Sequence, residues 1–216
     1  MLVDGVGSAA LADSLVPGLQ SAGRPALRVS AGDFQRPAGE RFEWGREDEE
    51  SFRARWLDAE ALEREVLSRA DAYLPALWDA EHDRSARRSL VPLPDRAVLL
   101  VDGILLLGRG LTAELTVHLS LSPGALRRRG VPDWQLPAFA TYATTVRPEQ
   151  ACDVLVRAED PRRPAVVLPR GAWTHGGVAP DDQDGPSVVT VPPRTPHVAA
   201  GASVRSLEGG EPCPAR

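Results

Sequence analysis

The stretch Val3-Asp4-Gly5-Val6-Gly7-Ser8-Ala9-Ala10-Leu11-Ala12 decides how the rest of the chain is read. A short apolar run, a Gly-rich turn, and then Leu11, Leu15 and Leu19 at helical spacing spell strand, turn and helix. This is the layout of a phosphate-binding loop. Such a loop needs G-x-x-x-x-G-K-[ST], whose N–H groups cradle phosphates while the lysine reaches the β- and γ-phosphates and the hydroxyl holds Mg²⁺. Five residues beyond Gly5 stands Ala10, and every one of the 25 basic residues is arginine. The turn is short, and there is no lysine to complete it. The helix N-terminus behind it keeps a partial positive charge, worth up to about 1 kcal/mol toward an anion.

Outward from this turn the pattern alternates. Gly23 and Pro25 close the first helix, and residues 26–29 make a second strand. Residues 36–47 are polar and read as a loop. Strong helix formers run through 48–69, with Phe52, Trp56, Ala59, Leu62 and Val66 on one face. Pro92 and Pro94 mark a connector. The continuous apolar run at 97–101 is expected of a strand buried on both faces of a parallel sheet. Residues 115–121 form another strand, followed by the cluster Arg127, Arg128 and Arg129. A helix is expected over Leu136–Thr145, and final strands at 153–157 and 165–168. Strands alternating with helices imply a three-layer α/β/α fold with a mainly parallel sheet and right-handed crossovers. Residues 169–216 are crowded with Pro and Gly and read as a low-complexity, flexible tail, with minor strands at 188–191 and 198–204 the only candidates for order. One domain over 1–168 plus this tail is the expected organisation.

Composition excludes several classes. A net charge of −5 and a pI near 5.4 argue against a nucleic-acid partner or an anionic membrane surface, either of which needs a basic face. The two cysteines, Cys152 and Cys213, fit neither a disulfide framework nor a metal site. Four histidines lack metal-ligand spacing. The most apolar segment, 97–107, is interrupted by Asp102 and is too short to span a bilayer. A soluble, cytoplasmic protein is the expectation.

Several segments, taken in order, resemble the uridine kinase family of P-loop nucleoside kinases, particularly its shorter actinobacterial members. They are Val3-Asp4-Gly5-Val6, Val29-Ser30-Ala31-Gly32-Asp33-Phe34, Trp78-Asp79-Ala80-Glu81-His82-Asp83-Arg84, Leu99-Leu100-Val101-Asp102-Gly103-Ile104-Leu105, Val117-His118-Leu119-Ser120-Leu121 and Val146-Arg147-Pro148-Glu149. The last is followed by Ala151-Cys152-Asp153-Val154-Leu155-Val156. The resemblance implies ATP-dependent phosphorylation of a nucleoside 5′-hydroxyl, with ATP, Mg²⁺ and a small-molecule nucleoside meeting at the carboxyl ends of the strands, where α/β folds place ligands.

The resemblance also implies roles. Gly5, Gly7 and Ser8 would face phosphate. Asp102, at a strand's carboxyl end, would organise Mg²⁺ through water; as plain sequence it equally caps the next turn. The family's base stands at the position of Gly32. Asp33 follows one residue later, and in an extended segment it points to the other face. It is then either a displaced base or a turn residue. His82 and Arg84 match a segment touching the nucleoside, but lie in a charge-rich stretch that also reads as a solvated loop. Asp58 matches a carboxylate that holds sugar hydroxyls, or is a helix surface charge. Arg127, Arg128 and Arg129 match lid arginines that grip phosphate bidentately, or form a solvated face. The missing lysine, the missing second glycine, Gly32 and an abbreviated lid all bear on one reaction. The chain is therefore either a kinase of impaired activity, with an arginine such as Arg109 or one of Arg127, Arg128 and Arg129 in place of the lysine, or an inactive module that binds a ligand or partner.

Overall fold

The computed structural model describes residues 1–160 and 163–167 and the backbone of Val188–Thr190. In chain order, β1 (Leu2–Asp4) leads into α1 (Ser8–Ser21) and β2 (Ala26–Ser30), and a 3₁₀ turn follows at Ala31–Phe34. Short helices α2 (Ala38–Arg41), α3 (Glu49–Ala54) and α4 (Ala59–Leu62) come next, with a π-helical turn at Glu63–Leu67. Two small antiparallel ladders lie beyond: β3 (Ala72–Tyr73) pairs with β6 (Val91–Pro92), and β4 (Trp78–Asp79) with β5 (Arg84–Ser85). Then come β7 (Val98–Gly103), β8 (Thr116–Ser120), α5 (Pro123–Arg128), a 3₁₀ turn at Asp133–Gln135, α6 (Leu136–Thr145) and α7 (Pro148–Ala151). The described chain ends with β9 (Val154–Arg157), β10 (Ala165–Val167) and β11 (Val188–Thr190).

The main sheet has the order β11-β10-β9-β8-β1-β7-β2. Strands β2, β7, β1, β8 and β9 run parallel, and β10 and β11 add antiparallel at one edge. The expected α/β architecture is therefore observed, with β1 in the middle of the five parallel strands. Of the tail, only the strand within 188–191 falls among the described residues; the candidate at 198–204 lies outside them.

The period-2 alternation of strands sorts side chains to two faces. Val3, Leu100 and Asp102 face α1, where Ala12 and Ala26 complete a buried cluster with Leu100. Leu2, Asp4, Val29 and Val101 face the opposite layer of α3, α4 and α6, where Phe34, Phe52, Leu62 and Tyr142 fill the larger core. Helix α1 ends in a Schellman motif: Gly23, at φ +74°, takes the left-handed position, and the Arg24 N–H reaches back to the Leu19 carbonyl at 3.0 Å.

The helix expected over 48–69 is broken. Trp56 and Leu57 leave it to pair with the segment after β2: the Arg36 N–H donates to the Trp56 carbonyl at 2.9 Å, and Gln35 bridges Leu57. Asp58 then caps a new helix, its Oδ1 accepting from the Ala61 N–H at 3.0 Å. The apolar spacing continues across the break because both pieces face one core. Within the loop expected at 36–47, Ala38–Arg41 closes one helical turn.

Candidate functional site

The turn after β1 is held by its own donors. The Gly5 N–H donates to the Gly103 carbonyl at 2.8 Å, the Ser8 N–H to the Gly5 carbonyl at 3.1 Å, and the Ser8 hydroxyl to Gly103 at 3.1 Å. Gly5 and Gly7 have φ of +113° and +96°, and a Cβ at Gly5 would lie 2.7 Å from the Leu119 carbonyl oxygen. Both glycines are demanded by this tight turn. A Cβ at Gly7 would collide with the Arg129 guanidinium, which donates to the carbonyls of Val6 at 3.3 Å and Ala158 at 2.6 Å. Arg129 thus lies against the turn and ties it to the end of β9. Its neighbours turn outward: Arg127 pairs with Asp133 at 2.7 Å, and Arg128 with Glu159 at 3.8 Å, all largely exposed.

Asp102 is buried at the carboxyl end of β7, 3% exposed. Both its oxygens are taken by Arg28 of β2, whose Nε and Nη2 lie at 2.6 and 3.0 Å in a bidentate pair. The remaining Arg28 nitrogen, Nη1, reaches Asp13 on α1 at 3.0 Å. The hydrogen bond to Asp102 holds the guanidinium pKa above its ordinary value. Among the described residues no group of three His, Cys, Asp or Glu side chains is arranged to hold a metal ion.

The extended geometry expected around Asp33 is not found. Ser30 Oγ accepts from the Gly32 N–H at 3.2 Å and starts the 3₁₀ turn, so the chain bends where the base position lies. Asp33 lines an open groove of about 710 Å³ with Gly32, Trp78, Asp79, Arg84 and Arg88. Its carboxyl pKa is raised, chiefly by partial burial and next by the charge of Asp102, against the opposing pull of Arg28 and Arg88. Arg84 reaches this groove from the β4–β5 hairpin. His82 and Arg84 converge on Asp79, with His82 Nδ1 at 2.8 Å and Arg84 Nε at 3.5 Å from Oδ2. Asp58, by contrast, acts as a helix cap, as described above.

Two further features stand apart: Arg109, named above as a candidate stand-in for the lysine, and the surroundings of Asp4. Arg109 is largely buried, and its guanidinium donates to the carbonyls of Leu105 at 2.5 Å, Ala54 at 3.3 Å and Arg53. It caps the carboxyl end of α3, where backbone carbonyls welcome a cation, and burial lowers its pKa. It also borders a cavity of about 230 Å³ beside Phe52, Trp56 and Gly32. The second feature is a network around Asp4, which is fully buried. Oδ1 accepts from the Leu106 N–H at 2.9 Å, and Oδ2 from the Tyr142 hydroxyl at 2.8 Å and His118 Nδ1 at 2.7 Å. The Leu107 N–H in turn donates to the Tyr142 oxygen at 3.0 Å. An acidic residue closing an apolar strand, and a histidine alternating with Val117 and Leu119, were the only traces in the sequence.

Strand order, a Gly-rich turn between β1 and α1 and an acidic residue at the end of β7 define an α/β fold of the P-loop kinase-like kind. The sequence matches no protein-family model and no curated protein. Among solved structures the chain is similar to a possible uridine kinase from Bacillus stearothermophilus, with 19% identity and a TM-score of 0.58 over 71% of this chain and 84% of that one. At this identity the likeness is one of fold.

Proposed function

We propose that this is a nucleoside-kinase-like protein that binds a small hydroxyl-bearing ligand of the nucleoside kind beside Asp33, and in which ATP-dependent transfer to the 5′-hydroxyl is impaired. One observation carries the reading: both oxygens of Asp102 are consumed by Arg28 at the point where a kinase of this fold would organise its metal. With no lysine in the chain and both oxygens of Asp102 held by Arg28, the residues as arranged do not fit a Mg²⁺-bound triphosphate. Asp33, set in the groove with a raised pKa, is suited to accept a hydrogen bond or proton from a ligand hydroxyl. Arg84 and Arg88 offer donors to carbonyl or phosphate oxygens across the same groove. The fold likeness supports a nucleoside or nucleotide as the occupant.

A second reading is an active kinase in which Arg129 stands in for the lysine. The position of that guanidinium, packed on the turn at Gly7, favours it. Calorimetry separates the two. Uridine is expected to bind the chain alone, and Asp33→Ala to weaken it roughly tenfold, the worth of one hydrogen bond to a charged group. Mg²⁺–ATP is expected to add no heat at millimolar concentration. Tight Mg²⁺–ATP binding that Arg129→Ala removes would favour the second reading. Absence of heat with both uridine and cytidine would overturn the proposal.

A further inference from the structure

The Asp4 network borders a cavity of about 350 Å³, within the size range of small-molecule sites. Its walls are mainly apolar, formed by Leu105, Leu121, Leu126, Phe139 and Ala143, and His118 faces it from β8. The His118 side chain is nine-tenths buried. Its Nδ1 is turned to Asp4, whose carboxylate already accepts from two other donors, so Nδ1 donates to it. The opposite edge, Nε2, has no hydrogen-bond partner among the described residues, and the ring lines the cavity. Two other polar walls are already engaged: the Ser120 hydroxyl donates to Glu149, and the Tyr142 hydroxyl to Asp4. Arg147 and Glu149, which also line the cavity, carry opposite charges.

We propose that this cavity is a second ligand site, for a small neutral molecule with an apolar body and one hydroxyl, which donates its hydrogen bond to His118 Nε2. Asp4 and Tyr142 are positioning residues: they fix the tautomer and the ring plane so that the acceptor points inward. The arrangement has the logic of an oriented imidazole, with a carboxylate on one nitrogen and the working lone pair on the other. Placing a carboxylate, an imidazole and a phenol in a core brings little stability over apolar packing of the same volume, so a nine-tenths-buried ring with one unpartnered nitrogen, lining a cavity, is the feature that calls for a ligand. The site shares no lining residue with the groove beside Asp33, which follows the edge strand β2.

The test uses the full chain without nucleotide or nucleoside. Phenol and cyclohexanol are titrated and the imidazole nitrogens are followed by long-range ¹H–¹⁵N spectroscopy, with toluene as the probe that lacks a donor. Phenol and cyclohexanol are expected to bind with dissociation constants on the order of 1 mM and to shift the His118 Nε2 resonance, and toluene to bind roughly tenfold more weakly. His118→Phe should abolish the preference for the hydroxyl. Because that change leaves Asp4 short of a donor, Ala143→Trp provides a second variant. It fills the mouth, leaves the network intact, and should remove phenol binding with an unchanged melting temperature. Unmoved His118 resonances, equal binding of phenol and toluene, or full phenol binding by Ala143→Trp would each overturn the proposal. Failure of uridine to bind beside Asp33 would leave all of these readings as they are.

Discussion

Asp4 and Asp102 end adjacent parallel strands, are equally buried, and live in opposite worlds. Because Asp102 is in register with Val3, the two carboxylates project to opposite faces of the sheet. Asp102 meets a guanidinium in a bidentate pair that continues outward to Asp13 near the surface. Asp4 meets three separate donors: a backbone N–H, a phenol and a histidine ring. One carboxylate is gripped by a single guanidinium, and the other is solvated by separate dipolar donors. The first arrangement closes a site by satisfying it; the second props open an acceptor beside a cavity.

The largest effect should come from breaking the dipole-solvated side. Asp4→Ala leaves the Leu106 N–H, the Tyr142 hydroxyl and His118 Nδ1 without an acceptor in the core. We expect a loss of about 4 kcal/mol, measured by urea denaturation. Asp102→Ala strands only Arg28, which is 30% exposed in its side chain and keeps Asp13, so about 2 kcal/mol is expected. The comparison sharpens if the paired change Arg28→Leu with Asp102→Leu recovers most of that loss, since apolar replacement of a whole ion pair is often neutral. No apolar replacement of Asp4 alone should recover its stability. Tyr142→Phe removes one donor from Asp4 and the acceptor of the Leu107 N–H, and should cost about 1 kcal/mol.

The smallest effect belongs to Asp33. Its pKa is raised in the folded chain, so the protonated form is favoured by folding, and the associated stability is lost as pH rises through the folded value. Asp33→Asn should therefore raise the melting temperature slightly at neutral pH. The gain should vanish below the ordinary carboxylate value. A gain that persists in acid would sink the assigned cause.

Much of the sheet was legible because a buried parallel strand is a continuous apolar run, as at Leu99, Leu100 and Val101. Helix α6 was legible to its ends because proline at its second position and the following Arg147-Pro148 punctuate it. The break at Trp56 and Leu57 was not, since no proline or glycine marks it and its cause is a pairing with Gln35 and Arg36 about twenty residues earlier. The bend at Asp33 rests on a Ser30 side-chain cap, a local signal that strand-like alternation hid. The partners of Asp102 and Asp4 were out of reach for a different reason: Arg28 lies 74 positions from the first and His118 lies 114 from the second. A residue type at a strand end announces a polar job, but the partner that decides which job comes from topology.

That topology also sets an order of assembly. β1 lies at the centre of the five parallel strands, yet its neighbours are reached only at Val101 and Thr116. At roughly 5–20 residues per second of synthesis, β1 waits on the order of ten seconds for both sides of its slot to exist. Its brevity then becomes protective, because three residues offer little edge for another chain to zip onto. We expect pulse-labelled hydrogen exchange during refolding to protect β8 and β9, which are joined by the shorter crossover, before it protects β1. β1, made before both strands that flank it, would be the keystone, set last.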